Sequence, residues 1–277
     1  MTASSVSAPE PFSIAAAGTR LHGFRQGTGP VILCLHATGH GARDFKRLAG
    51  RLGHRYRFVA LDWPGQGESP REAAPASAAR YAELLAGAVD ALGLDRFVIL
   101  GNSIGGAAAI IYAAAHRERV RGLVLCNPGG LQRVGLIARL YCRRMAKFLG
   151  GGERGEKDFP KRFGHYYERT VLPQKAAAWR REEIIASANV ISPVLREAWE
   201  SFGRKEADIR ALVPRLACPI LYAWAKKDFA VAWSRSKRAA MRAPKAKVEM
   251  FDAGHAAFLE QPEKFAAAFT AFLDALA

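Results

Sequence analysis

Four short, nearly unbroken apolar runs punctuate the first half of this 277-residue chain: VILCLHA (31–37), YRFVALDWPG (56–65), FVILGNS (97–103) and VRGLVLCNPGG (120–130). A strand that is apolar on both faces must be covered on both, and parallel sheets flanked by helices supply that cover. The segments between them, ARDFKRLAGRLG, SAARYAELLAGAVDALGL and GGAAAIIYAAAHRER, read as helices. In the second, Tyr81, Leu84, Leu85, Val89 and Leu92 recur at helical spacing. Strand and helix alternate, which predicts an α/β chain with a doubly wound, mostly parallel sheet.

Ahead of these runs, PFSIAAAGTRLHGFRQGTGP reads as an antiparallel hairpin at the sheet edge, turning at Gly18-Thr19. After position 217 the alternation resumes with PILYAWAKKD, a basic helix, VEMFDAGH and the amphipathic QPEKFAAAFTAFLDALA, whose Phe265, Phe269, Phe272 and Leu276 line one face. That makes eight strands. Residues 131–216 break the pattern: they have no β-rich run, but carry helical periodicity, Gly150-Gly151-Gly152 and turn-forming Pro160, Pro173, Pro193 and Pro214. The predicted organisation is a core of 1–130 and 217–277 with a helical cap, 131–216, inserted on top of the sheet.

The third run ends in Gly-Asn-Ser-Ile-Gly. A serine in G-x-S-x-G between strand and helix sits at a sharp turn, where Gly101 and Gly105 keep the two elements from colliding. The Ser103 hydroxyl then projects above the carboxyl edge of the sheet, and the helix starting at Ile104 aims its free N–H groups at the same spot. A tight turn with a structural serine has the same pattern, so partners decide. A serine hydroxyl needs a base, and histidine suits that role near neutral pH. His255 follows an apolar strand and precedes a helix; Asp228 closes the strand before it. Singly, Asp228 reads as a helix cap and His255 as a loop histidine. Together, in the order Ser, Asp, His and at the same sheet edge, they read as a catalytic triad.

These motifs resemble the α/β-hydrolase superfamily over almost the whole chain apart from the insertion. The resemblance implies that LHATGH occupies the place of the family's His-Gly-X oxyanion turn, here His36-Ala37-Thr38, with alanine where glycine is usual. It implies an oxyanion hole made by the backbone N–H groups of Thr38 and Ile104, with His36, Ala37, Asn102 and Asn127 as candidate substrate contacts. LDWPGQGES resembles the family's Asp-x-x-Gly-x-Gly-x-Ser turn, in which Asp62 accepts local backbone hydrogen bonds. Serine at the elbow, in place of the aspartate of haloalkane dehalogenases and epoxide hydrolases, points to acyl transfer.

Within that frame a carboxylic-ester hydrolase is the first reading. The second is a C–C bond hydrolase of ring-fission products, which Asn102 and Asn127-Pro128-Gly129-Gly130 resemble; those enzymes act on anionic dienoates. Against it, Ala256 stands where they usually carry tryptophan. A lyase or a ligand-binding member of the fold is the alternative of another class. From the insertion, Arg143, His165, Tyr166, Tyr167, Trp179 and Trp199 are candidates to reach a substrate.

The formal charge of +16 is spread along the chain, but one stretch stands apart: residues 229–248 hold six Lys and Arg and no acid. A solvated helix face is the plain reading; attraction of an anionic substrate or an acidic surface is the other. No aromatic interleaving accompanies it, so nucleic acid is not an expected partner. The four cysteines lack zinc-ligand spacing, and Cys34 and Cys126 lie in apolar runs as core thiols. Neither a metal nor a cofactor is expected. The N-terminus MTASSVSAPEPFSI has no signal-like apolar region, and GGAAAIIYAAA falls short of the roughly 20 residues that span a bilayer. The expectation is a cytoplasmic enzyme acting on a small molecule, with its oligomeric state open.

Overall fold

In a computed structural model of the chain, residues 6–276 are described. Residues 1–5, the start of the segment read as lacking a signal, and Ala277, read from the sequence as the end of the last helix, lie outside the described residues. The strands are β1 (Glu10–Ala16), β2 (Thr19–Gln26), β3 (Val31–Leu35), β4 (Arg57–Leu61), β5 (Phe97–Asn102), β6 (Val120–Cys126), β7 (Ile220–Ala225) and β8 (Ala246–Phe251). They form one sheet in the order β1-β2-β4-β3-β5-β6-β7-β8. The pairs β1/β2 and β2/β4 are antiparallel, and every other pair is parallel. The hairpin turns one residue earlier than expected, at Ala17-Gly18, and Thr19 already belongs to β2. Both turn residues have positive φ, 44° and 84°, the twist that suits a two-residue hairpin.

Alternate side chains of each central strand enter two separate cores. Val98 and Leu100 of β5 join Ile32, Cys34, Val124 and Cys126 on one face, against α1 (Lys46–Leu52) and Phe265, Phe269 and Phe272 of the C-terminal helix. Phe97 and Ile99 join Leu33, Leu35, Leu123 and Leu125 on the other, against α2 (Ala78–Ala91) and α3 (Ile104–Ala115). This division of a continuous apolar run between two helical layers makes the sheet doubly wound. Ser77 caps α2 by accepting from the Arg80 amide at 3.1 Å.

Between β6 and β7 the described chain is helical: α4 (Leu136–Leu149), α5 (Phe159–Tyr166), one turn of π-helix (Tyr167–Val171), α6 (Ala178–Ala186) and α7 (Ala188–Phe202), with short 3-10 turns. Pro193, expected in a turn, lies inside α7. Burial of Ile191, Val194, Leu195 and Ala198 holds that helix through the missing amide hydrogen bond. After β7 come α8 (Trp233–Ala240), α9 (Ala257–Glu260) and α10 (Pro262–Asp274).

Candidate active site

The parallel strands β3, β5, β6, β7 and β8 end at one edge of the sheet, and within about four residues of each end lies a polar residue of interest. The edge reads, in spatial order, Thr38, Ser103, Asn127, Asp228 and His255. Ser103 adopts φ 54° and ψ −116°, a region costly for any residue with a Cβ. The turn around it is close-packed. A Cβ on Gly105 would lie 2.4 Å from the Leu35 carbonyl oxygen, and one on Gly101 2.8 Å from the Gly105 carbonyl oxygen. The Ser103 amide still donates to Cys126 O at 3.0 Å, so the strained residue is anchored to β6.

His255 Nδ1 lies 2.6 Å from Asp228 Oδ2. The same oxygen accepts from Asn127 Nδ2 at 2.7 Å, and Oδ1 accepts from the Val231 amide at 2.8 Å. Asn127 is itself fixed, its Oδ1 accepting from the Ala225 amide at 2.9 Å. This arrangement puts the proton of the imidazole on Nδ1 and leaves the Nε2 lone pair free. Burial alone would lower the His255 pKa; the charge and hydrogen bond of Asp228, with the charge of Glu260, raise it above the ordinary value of 6.5. Ser103 Oγ and His255 Nε2 are not hydrogen-bonded. The two residues are joined through Asn102, whose Nδ2 donates to the His255 carbonyl at 3.1 Å and to Cys126 O at 2.9 Å.

Glu260 is a residue that sequence reasoning missed. It is buried, and its carboxylate accepts the amides of Gly254, His255 and Ala256 at 2.9 to 3.1 Å, tying down the loop that carries the imidazole. The signal is a glutamate one helical turn beyond a loop histidine, as in H-x-x-x-x-E, and it is weak without coordinates. Burial raises the Glu260 pKa while these amides oppose the rise. Glu260→Gln keeps one acceptor oxygen and removes a charge. It is expected to cost about 1 kcal/mol in thermal unfolding and to lower the apparent pKa of His255 in the pH profile; Glu260→Ala, which orphans three amides, is expected to cost about 3 kcal/mol.

On the other side of Ser103, the amides of Thr38 and Ile104 have no hydrogen-bond partner among the described residues. The turn that carries Thr38 is held from beneath. His36 Nε2 accepts from the Trp63 amide at 2.9 Å, Trp63 Nε1 donates to His36 O at 3.1 Å, and the Gly39 amide donates to Gln66 Oε1 at 2.6 Å. Asp62 accepts the amides of Ala42 and Glu68 at 2.6 and 3.1 Å, a structural role. The Thr38 hydroxyl is buried without a partner among the described residues.

The side chains named as candidate substrate contacts are buried. His36 is fully buried, with Nδ1 on Ala37 O at 2.6 Å and Nε2 on Trp63; burial pushes its pKa down to about 3, so the ring is neutral. Asn102 and Asn127 are fully buried and use their amides on the backbone and on Asp228. These three side chains position other groups. Ala37 is buried at 2% exposure. From the insertion, Arg143 and His165 face solvent; Trp179 carries the Arg47 guanidinium at 4.1 Å, and Trp199 packs on Tyr141 and Phe202. Tyr167 lies against the turn that carries Thr38, and Tyr166 packs on Tyr167. Burial and the charge of Asp228 among others push the Tyr166 phenol well up, and the Tyr167 oxygen lies 3.3 Å from where a Gly39 Cβ would sit.

A buried ionic cluster ties the insertion to the turn that carries Thr38. Asp44 holds His40 Nδ1 at 2.6 Å and Arg180 Nε at 2.6 Å, and Arg180 also reaches Glu183 at 3.1 Å. Burial opposes the Asp44 charge, yet His40 and Arg180 hold the carboxyl well below the usual range.

The sheet order, the elbow and the strand-end residues define an α/β hydrolase. The chain belongs to the Alpha/beta hydrolase family, whose profile matches residues 32–268. It is 31% identical over 274 residues to the 2-hydroxymuconate semialdehyde hydrolase of Pseudomonas putida, across 94% of this chain and 92% of that one. It superposes on a membrane phospholipase A described as a bacterial virulence factor with a TM-score of 0.81 and 25% identity, over 97% of this chain and 86% of the other. A thermophilic esterase from Thermogutta terrifontis shares the fold, with a TM-score of 0.76 and 24% identity over 96% and 99% of the two chains. Among the described residues no helix is long and apolar enough to cross a membrane.

Proposed function

We propose that this hydrolase cleaves a small-molecule carboxylic ester through Ser103, His255 and Asp228. His255 takes the proton of Ser103 as its oxygen attacks the ester carbonyl, and the tetrahedral oxyanion is held by the amides of Thr38 and Ile104. His255 then gives the proton to the departing alcohol, leaving an acyl-enzyme. Water activated by the same imidazole hydrolyses it and frees Ser103. The helical insertion acts as a cap that screens these steps from bulk water. Serine–histidine contacts in empty sites are often long and tighten with substrate.

The observation that carries this reading is the Asp228–His255 hydrogen bond beside a serine held in a strained turn between two unpartnered amides. Short-chain p-nitrophenyl esters test it, together with a fluorophosphonate probe. Turnover and labelling of Ser103 are expected; a folded protein that neither hydrolyses any of these esters nor takes the label refutes it. Because neutral His255 is the base, kcat/KM is expected to rise as pH passes through its pKa, with a midpoint above 6.5.

The likeness to the P. putida enzyme favours C–C bond cleavage as the second reading. Arg180, the buried cation of the cap, counts against an anionic dienoate, because Asp44 and Glu183 already neutralise it. Bleaching of a coloured dienoate without ester turnover would reverse the order of the two.

A further inference from the structure

The cap carries an apolar face that none of the described residues covers. Along α4, Leu136, Ile137, Leu140 and Tyr141 are 73%, 84%, 55% and 41% exposed. They form one stripe, while Cys142, Met145, Ala146 and Leu149 on the opposite side of the helix are buried. Phe229, 73% exposed, directly follows Asp228 on the loop that meets the residues just ahead of α4. Hydrogen bonds fix this neighbourhood. Gln132, just ahead of α4, donates to Ala230 O at 3.3 Å and accepts from Arg235 Nε at 3.0 Å, and Arg235 also donates to Phe229 O at 2.5 Å. Contiguous large apolar side chains at such exposure mark a contact surface.

The charge around the stripe says what kind of surface it meets. Residues 119–152 contain no acid and seven Lys and Arg; residues 229–248 contain no acid and six. The two acid-free stretches meet where Gln132 binds the Phe229–Arg235 loop. Arg133, Arg143, Arg144, Lys147, Lys237 and Arg238 are exposed, and the ion pairs of the described residues leave them without a carboxylate. A second copy presenting the same face would bring like charges together.

We infer that this face of the cap docks on the headgroup surface of an anionic phospholipid bilayer, with the α4 stripe and Phe229 seated among the acyl chains and the surrounding arginines and lysines on the phosphates. Apolar side chains at the headgroup boundary and basic residues within a Debye length of it act together in such docking. The inference is independent of the bond that Ser103 attacks.

Sedimentation of the full chain with vesicles tests it without substrate. The protein is expected to pellet with vesicles of equal parts phosphatidylglycerol and phosphatidylcholine, to stay in solution with pure phosphatidylcholine, and to be released by salt. Ile137→Glu is expected to weaken binding about tenfold or more, and Arg143→Gln with Arg144→Gln about tenfold. These side chains are exposed, so their thermal transitions should stay in place. Val190→Glu, equally exposed (77%) on α7 but at the other end of the cap, is expected to bind as the parent does. Absence of binding to the anionic vesicles overturns the inference, as does binding undiminished in Ile137→Glu or equally weakened in Val190→Glu. A concentration-dependent dimer that Ile137→Glu dissolves would assign the face to a second copy instead.

Discussion

Replacing Ser103 by alanine is expected to lower ester turnover by a factor on the order of 10⁵ to 10⁶, as loss of a nucleophile does when the remaining groups act only with it. Binding and the two amides at Thr38 and Ile104 persist, so a small residual rate above that of water should remain. Fluorophosphonate labelling should vanish. The fold should not suffer, because alanine inherits the same strained backbone at φ 54°. Ser103→Gly is the more informative partner. Glycine adopts that conformation without the penalty of a Cβ, so relief of about 1 kcal/mol or more in unfolding free energy is expected alongside the same loss of turnover. A variant that gains stability while losing activity separates strain held for function from strain that is incidental. Ordinary turnover in Ser103→Ala would exclude serine as the nucleophile.

The residues that the sequence singled out and those it missed differ in a physical way. The strands were legible because each is buried on both faces and must be apolar along its length. Ser103, Asp228 and His255 were legible because each sits where such a run stops. A parallel sheet brings the carboxyl ends of neighbouring strands together, so three distant stretches of sequence predict one edge. Glu260 and the Asn127–Asp228 bond leave no periodic trace: each depends on a side chain reaching a loop through space. The Asp44–Arg180 pair spans 136 residues and joins the core to an insertion whose packing the sequence did not define. For the same reason Arg143 and His165 are only candidates to reach a substrate in the sequence, and in the structure they meet solvent. Helical periodicity gives a face; it does not say which neighbour the face meets. Pro193 misled because burial of one side of α7 outweighs the loss of a single amide hydrogen bond.

Removing the Asp228 carboxylate is expected to be the second-largest loss, and the way it is removed should matter. Three donors converge on it: His255 Nδ1 and Asn127 Nδ2 on Oδ2, and the Val231 amide on Oδ1. Asp228→Ala leaves all three unpaired in a buried pocket. It is expected to cost about 10⁴-fold in kcat and, through the orphaned donors, about 3 kcal/mol or more in stability. In Asp228→Asn the amide must offer oxygen to one side and NH₂ to the other. Two donors point at the Oδ2 position and one at Oδ1, so the oxygen takes the Oδ2 place. The imidazole then keeps its proton on Nδ1 and loses only the negative charge that supports its protonated form. Asp228→Asn is therefore expected to retain more activity than Asp228→Ala, and the difference measures orientation apart from charge. In both variants burial of His255 is opposed only by the charge of Glu260, so its pKa falls and the acid limb of kcat/KM moves to lower pH while the plateau drops. A pH profile that keeps its midpoint in both variants would mean that Asp228 does not act through His255, and the assignment of the acid would fail with it.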